Sequence, residues 1–429
     1  MIRDLTADGL GVADVTGKQV FVGSALPGEF IRFRRKRRRR NYDEAALVEV
    51  LRESSLRVMP PCEYFSVCGG CSLQHLEPGA QLEAKQNVLL DALTRIGKVE
   101  PEVVLPPLAG KNQGYRRRAR LGARLVEKKG RVLVGFREKH SSYVAEMHSC
   151  KVLRPELSEL IDPLMELISS MSISRRVPQV EMSLGDASIS LVIRVLDPPT
   201  TADTQLLTEF AATHNVGIWL QSGGPQTLAP LDPGKPPEQL WYELPDAGVR
   251  LEFGPLDFIQ VNQDMNRLMI ARALELLGSL EGKRVLDLFC GIGNFSLPLA
   301  RQAAHVTGVE LDAGMVAKAR ANAALNQLEN TEFHAADLSD PDNLPDWWQQ
   351  GFDVIVLDPP RAGAAAALPS VAQARPAQIL YVSCHAGSLA RDAGELVHTH
   401  GYRLKKAGAM DMFPHTSHVE AIALFELEQ

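Results

Sequence analysis

Cys384 and Glu420 are the side chains in this 429-residue sequence best suited to covalent chemistry. Cys384 ends the apolar run QILYVSC and precedes the helical pattern SLARDAGELVHTH, so a thiol is expected at a strand-to-helix junction. A thiolate is the reactive form, and a free thiol ionises only near pH ~8.5, so some local lowering is needed. His385 and the start of the following helix are the candidates for it. Glu420 lies in FPHTSHVEAIALFE, where apolar neighbours raise a carboxyl toward the range useful for proton transfer. Glu426 and Glu428 read as tail charges. A nucleophile and a proton acceptor together suit a reaction that makes a bond to sulfur and later breaks it.

The second group of residues builds a cofactor crevice. In DLFCGIGNF, Gly291 and Gly293 occupy a strand-to-helix turn, where glycine lets the backbone approach a ligand closely. Position 296, where a dinucleotide fingerprint carries its third glycine, is Ser, which disfavours NAD. Glu310 ends the strand GVEL and can accept from both hydroxyls of a ribose; Asp337 ends FHAAD, where an adenine amino group needs an acceptor. A ribose and an adenine without a phosphate describe S-adenosylmethionine, another nucleoside being the alternative. Cys290 reads as a small packed residue of the turn.

Methyl donor and thiol together select a substrate. Carbon 5 of uracil is a poor nucleophile in the planar ring. Addition of a thiolate at carbon 6 makes an enolate whose carbon 5 can attack a sulfonium methyl group, after which a base must remove the carbon-5 proton. Asp358, in FDVIVLDPPRAG, points to a rival chemistry. Amino-methyltransferases carry a similar acidic-Pro-Pro-aromatic motif, but Arg361 stands in the aromatic place.

Four further cysteines are spaced for a metal centre: Cys62, Cys68 and Cys71, with Cys150 far downstream. By spacing alone, zinc and an iron–sulfur cluster are both open. Thioredoxin-type chemistry lacks its β-α-β context.

These sites need three kinds of scaffold. Residues 1–54 carry short strands with Gly or Pro punctuation, VTGKQVFV reading as a hairpin and AALVEVLR as a closing strand, the pattern of an OB-like β-barrel. Residues 55–255 hold the cysteine loop, a helix with Leu82, Leu89, Leu93 and Ile96 at helical spacing and Gly97 as its stop, and alternating strands (ARLGARL, RVLVGFRE, ISLVIRVL, VGIWLQS, VRLEFG). They predict a central, mainly antiparallel α+β domain with a helix near 155–170, and helix 80–97 packing on the catalytic domain. Residues 256–429 alternate strands and helices, predicting a Rossmann-like α/β domain closed by an antiparallel hairpin.

Charge divides the chain the same way. The net charge of −6 hides 28 Lys and Arg against 19 Asp and Glu in residues 1–160, and 18 against 33 in the rest. Eight of the nine residues from Arg32 to Arg40 are basic, Phe33 being the exception, and Arg116, Arg117, Arg118 and Arg120 extend the positive stripe. A solvated loop is the bland reading; a groove for a nucleic-acid backbone is preferred. Phe30 and Phe33 are read as buried strand residues rather than stacking platforms. The N-terminus lacks a secretory pattern and no apolar run is long enough to span a bilayer, so a cytoplasmic protein with no membrane partner is expected.

Together, DLFCGIGNF, FDVIVLDPPRAG, YVSCHAGSLARD and FPHTSHVE resemble the RNA uracil-C5 methyltransferases, and FIQVN at 258–262 matches the motif that opens that family's catalytic domain. The resemblance implies Gln260, Phe289, Asn294, Glu310, Asp337 and Asp358 as cofactor-site positions, Cys384 as nucleophile and Glu420 as proton acceptor. It further implies a 4Fe–4S cluster on Cys62, Cys68, Cys71 and Cys150, structural in role, with zinc as the alternative. The barrel resembles a TRAM domain. The family's tRNA-specific members are expected to lack both barrel and cysteines, so the resemblance implies a monomeric enzyme acting on 23S ribosomal RNA. A cluster-bearing RNA-binding protein without catalysis is the non-enzymatic alternative.

Overall fold

The computed structural model describes residues 1–337, 339–340 and 344–428. At the N-terminus, strands Ile2–Leu5, Gly11–Val15, Lys18–Gly23, Phe30–Arg38 and Tyr42–Arg52 form one sheet in the spatial order first, second, third, fifth, fourth. Thr16 and Gly17 both have positive φ (56° and 79°), the geometry of a two-residue hairpin turn that matches strand twist. Ile2 donates to the Glu29 carbonyl and accepts from the Gly28 amide, both at 2.9 Å, so the first strand's edge meets the chain entering the fourth. The basic run is a strand, not a loop. Its side chains are largely exposed, with Arg35 paired to Asp43 at 2.9 Å. Phe33 packs on the small barrel core as expected, but Phe30 is exposed beneath the Arg52 guanidinium, 4.3 Å from its ring.

The central sheet has six strands, in the order Leu228–Pro230, Val216–Gln221, Ile189–Arg194, Gln179–Leu184, Arg118–Val126, Arg131–Gly135. Only the pair Ile189–Arg194 with Val216–Gln221 is parallel. A parallel pair needs a crossover, supplied by helix Thr201–His214, which the strand pattern did not anticipate and which starts with a capping box between Thr200 and Asp203. VRLEFG does not join this sheet. It forms a hairpin, Leu240–Leu244 with Val249–Phe253, whose Leu240, Tyr242, Leu251 and Phe253 pack into the core on one face of the catalytic sheet. Alternation reports a half-buried strand but not which core it covers.

The catalytic sheet has eight strands, in the order Thr331–Ala335, His305–Glu310, Arg284–Leu288, Val354–Leu357, Gln378–Ser383, Glu420–Leu427, Tyr402–Met410, Val103–Val104. The first five are parallel and Glu420–Leu427 is antiparallel to both its neighbours. Strand order reverses between Arg284–Leu288 and Val354–Leu357, which opens a crevice at their carboxyl ends. Helix Pro78–Ala92, continued by the π-helical turn Leu93–Gly97, lies on this sheet through Leu89 and Leu93. At the end of its last turn, Gly97 meets the Ala390 carbonyl so closely that an added Cβ would lie 2.3 Å from it. Ile96, expected in the apolar stripe, is exposed, while the polar Gln81, Lys85 and Gln86 are buried.

Candidate active site

The antiparallel register of Gln378–Ser383 with Glu420–Leu427 ends at Ser383 opposite Ala421. Cys384 is the next residue after this strand and Glu420 is the first residue of its partner, and the Glu420 carboxyl acts on the Cys384 thiol. The nucleophile and proton-acceptor candidates, 36 positions apart in sequence, thus sit at adjoining ends of two paired strands. Burial, then the carboxyls of Glu420 and Asp358, push the Cys384 thiol up to about 11, with Arg361 acting against them. His385 is engaged at the helix end: its Nδ1 accepts from the Ser388 amide at 3.1 Å, capping helix Ala386–His398. The imidazole serves the helix end.

Glu420 is buried, and burial followed by the charge of Asp358 raises its carboxyl to about 8, with Lys85 opposing. Burial raises Asp358 to about 7. Asp287, missed by the motif reading, is wholly buried in the strand before the glycine turn. Its Oδ2 accepts from Ser296, its Oδ1 has no partner, and burial raises it to about 7, with Asp358 and Glu310 adding to the rise. A carboxyl inside the apolar run VLDLF was the available signal, because a buried acid needs a partner. Clustered carboxyls with raised proton affinity form a site that favours a positively charged guest.

The glycine turn is held from both sides. Phe289, Gly291 and Gly293 all have positive φ (65°, 56° and 99°), a costly conformation for the phenylalanine. Glu310 accepts from the Gly291 amide at 3.2 Å and from Leu311 at 2.7 Å, so its carboxylate is fixed at the turn. Asn294 exchanges two 2.9 Å bonds with Asn266 and accepts from the Tyr242 hydroxyl at 2.9 Å. Cys290 is buried, as expected of a packed turn residue. The Gln260 carbonyl accepts from Arg117 Nε at 3.2 Å. Asp337 is exposed, its Oδ1 accepting from Ser339 at 2.9 Å.

The second basic group is not a continuous stripe. Arg117 is 1% exposed and lies 4.3 Å from the Tyr242 ring, with Asp186 4.0 Å from one terminal nitrogen and neither terminal nitrogen hydrogen-bonded. Arg118 and Arg120 turn to Glu181. Consecutive strand residues point to opposite faces, which a count of charges ignores. Burial and then the cations Arg361, Lys85 and Arg116 lower the His418 imidazole below its ordinary value, with Asp8 opposing.

Cys62, Cys68, Cys71 and Cys150 line one cavity of about 200 Å³, together with Tyr115 and Arg116. Burial raises Cys71 to about 12, and the other three thiols add to the rise. Among the described residues, no group of three or more His, Cys, Asp or Glu is arranged to hold a metal ion. No helix among them is long and apolar enough to cross a membrane.

A family profile described as tRNA (Uracil-5-)-methyltransferase matches residues 78–341, and one described as a methyltransferase domain matches 279–412. The chain belongs to the RNA uracil-C5 methyltransferase family. It is 51% identical over 428 residues, covering 99% of this chain and 96% of the relative, to the 23S rRNA (uracil(1939)-C(5))-methyltransferase RlmD of Xanthomonas campestris pv. campestris. It is 48% identical, over 99% and 98% of the two chains, to the protein so named in Nitrosospira multiformis. Its structure matches the Pyrococcus abyssi tRNA (uracil-54, C5)-methyltransferase solved with S-adenosyl-L-homocysteine, with a TM-score of 0.75, 26% identity and 99% of each chain covered. That full-length match corrects one expectation: within this family the overall architecture does not by itself separate tRNA from rRNA enzymes.

Proposed function

We propose that this family member methylates carbon 5 of a uridine in 23S rRNA, at the position 1939 named for its relatives, using S-adenosylmethionine. The observation that carries the mechanism is that Cys384 and Glu420 sit at adjoining ends of two paired strands, with the Glu420 charge acting on the thiol. Cys384 Sγ adds to carbon 6, and Glu420 later takes the carbon-5 proton as the C–S bond breaks. When bound, the methyl donor supplies an electrophilic methyl group on a positive sulfonium, the charge that the carboxyl-rich crevice favours. Glu310 is the acceptor for the ribose hydroxyls, and Asp337 that for the adenine amine. Gln260, Asp287, Phe289, Gly291, Gly293, Asn294 and Asp358 shape the remainder of that site. Arg116, Arg361 and the basic strand Phe30–Arg38 of the TRAM-like barrel meet the RNA backbone.

Methylation of a panel of 23S fragments and tRNA, with product mapping by mass spectrometry, tests the substrate. We expect 5-methyluridine only in the fragment carrying position 1939. Methylation confined to tRNA, the substrate of the structural neighbour, would replace this reading with the second one.

The four-cysteine cavity is assigned to a 4Fe–4S cluster. Thiolates around a tetrahedral zinc stand about 3.8 Å apart, given bonds of ~2.3 Å. Four thiols around one cavity could supply either guest, and the family resemblance favours the cluster. Anaerobically purified protein is therefore expected to be brown, and Cys71→Ser to lose most of that absorbance. Colourless protein with one equivalent of zinc would favour the alternative.

A further inference from the structure

Between Asp411 and Glu420, four consecutive carbonyls are each caught by a different distant segment. Met412 accepts from Asn262 Nδ2 at 3.1 Å, and Phe413 from Lys85 Nζ at 2.9 Å. Pro414 accepts from the Tyr115 hydroxyl at 3.0 Å. His415 accepts from the amides of Ser72 and Leu73 at 2.9 and 3.0 Å. His415 itself is buried with a positive φ of 67°, and its amide donates to Gln81 Oε1 at 3.0 Å. A non-glycine residue stays in that conformation only when its surroundings over-determine it.

Two of these four clamps come from the cysteine cavity. Ser72 and Leu73 directly follow Cys71, and Tyr115 lines the cavity beside Cys71 and Cys150. The held segment leads straight into Glu420, the first residue of its strand. Cys384, by contrast, follows a central strand bonded on both sides within the catalytic sheet.

We propose that the cysteine centre is a positioning device for Glu420: a filled cavity fixes Tyr115 and the Ser72–Leu73 amides, and these fix the carbonyl track that places the carboxylate. The inference rests on Glu420 being the proton acceptor. In the step concerned, the Glu420 carboxylate takes the proton from carbon 5. The C–H electron pair closes the C5–C6 double bond, and the C6–S pair leaves on sulfur as Cys384 thiolate. A carboxylate misplaced by about 1 Å slows such a transfer on the order of 10²-fold, while thiol addition, made from the sheet, is spared. The cysteine centre thus acts on release of the product, not on its formation.

The test follows adduct formation and decay on denaturing gels, in single turnover with target RNA and S-adenosylmethionine. Tyr115→Phe keeps the ring in the cavity and removes one hydrogen bond. We expect decay of the adduct to slow about three- to tenfold, formation to stay within about twofold, and the cluster absorbance to be kept. Gln81→Met, away from the cavity, is expected to show the same selective slowing. Iron removal is expected to speed hydrogen–deuterium exchange in residues 411–420 and leave strand 378–383 protected. Equal slowing of both steps, decay at the parent rate in both variants, or exchange rising equally in 378–383 would overturn the proposal. Glu420→Gln is run alongside: if it accumulates no adduct, the assignment of Glu420 itself falls. If it does accumulate adduct while Tyr115→Phe and Gln81→Met behave as the parent, only the positioning role falls.

Discussion

Cys384→Ala is expected to lower turnover on the order of 10³-fold or more and to abolish any protein–RNA species that survives denaturation. Without sulfur addition, carbon 5 of uracil stays too weak a nucleophile to take the methyl group, and carboxylates around it do not change that. The measurement is a denaturing gel with 5-fluorouracil-substituted RNA and S-adenosylmethionine, where fluorine at carbon 5 blocks the last proton removal and traps the adduct. A trapped band from the alanine variant would move the nucleophile elsewhere. A second consequence follows from the thiol's surroundings. With its ionisation pushed to about 11 by burial and by Glu420 and Asp358, only on the order of one thiol in 10⁴ is ionised at pH 7. Positive charge brought into the crevice reverses that balance. Adduct formation is therefore expected to need the methyl donor bound first, and to accelerate as pH rises through and beyond 8.

The local chemistry was legible in the sequence because each reactive group stands at one end of a strand, and strand ends are marked by a change of period. RVLDLFCGIG, GVEL, LDPP and YVSC all announce the carboxyl edge of a parallel sheet. What the pattern could not supply was pairing at a distance. Nothing in FPHTSHVE says that its carbonyls are held by Lys85, Tyr115 and Ser72, each more than 290 positions away. Lys85 and Gln81 lie one helical turn apart on a face that the apolar count passed over, because it scored only Leu and Ile. Likewise the arginine run 116–118 reads as one patch of charge until strand alternation sends Arg117 inward over Tyr242. Type and element survive in a sequence window; the partner across the sheet does not.

Glu420→Gln should separate the two halves of the reaction. Its amide has nearly the carboxyl's shape and keeps the buried site filled, but it cannot take a proton. Methyl transfer should proceed once, and decay of the methylated adduct should slow about 10²- to 10⁴-fold, the range over which a positioned base contributes. Covalent complex should then build up with ordinary, unfluorinated RNA. In the parent enzyme the same residue sets a pH dependence whose sign follows from its environment. Burial and Asp358 raise Glu420 to about 8, and only the ionised form accepts the proton. Decay should therefore rise about tenfold per pH unit below 8 and level off above it. Lys85 opposes that rise, its ammonium held 2.6 Å from Asp411, whose neighbour Met410 pairs with Glu420. Removing that cation together with its partner's charge, as in Lys85→Met with Asp411→Asn, should move the plateau to higher pH. In the Gln variant the slope should vanish, since no carboxyl remains to titrate. A Gln variant that keeps the parent's decay rate and pH slope would show that another group removes the proton, and the crevice's other raised carboxyl, Asp358, is next in line.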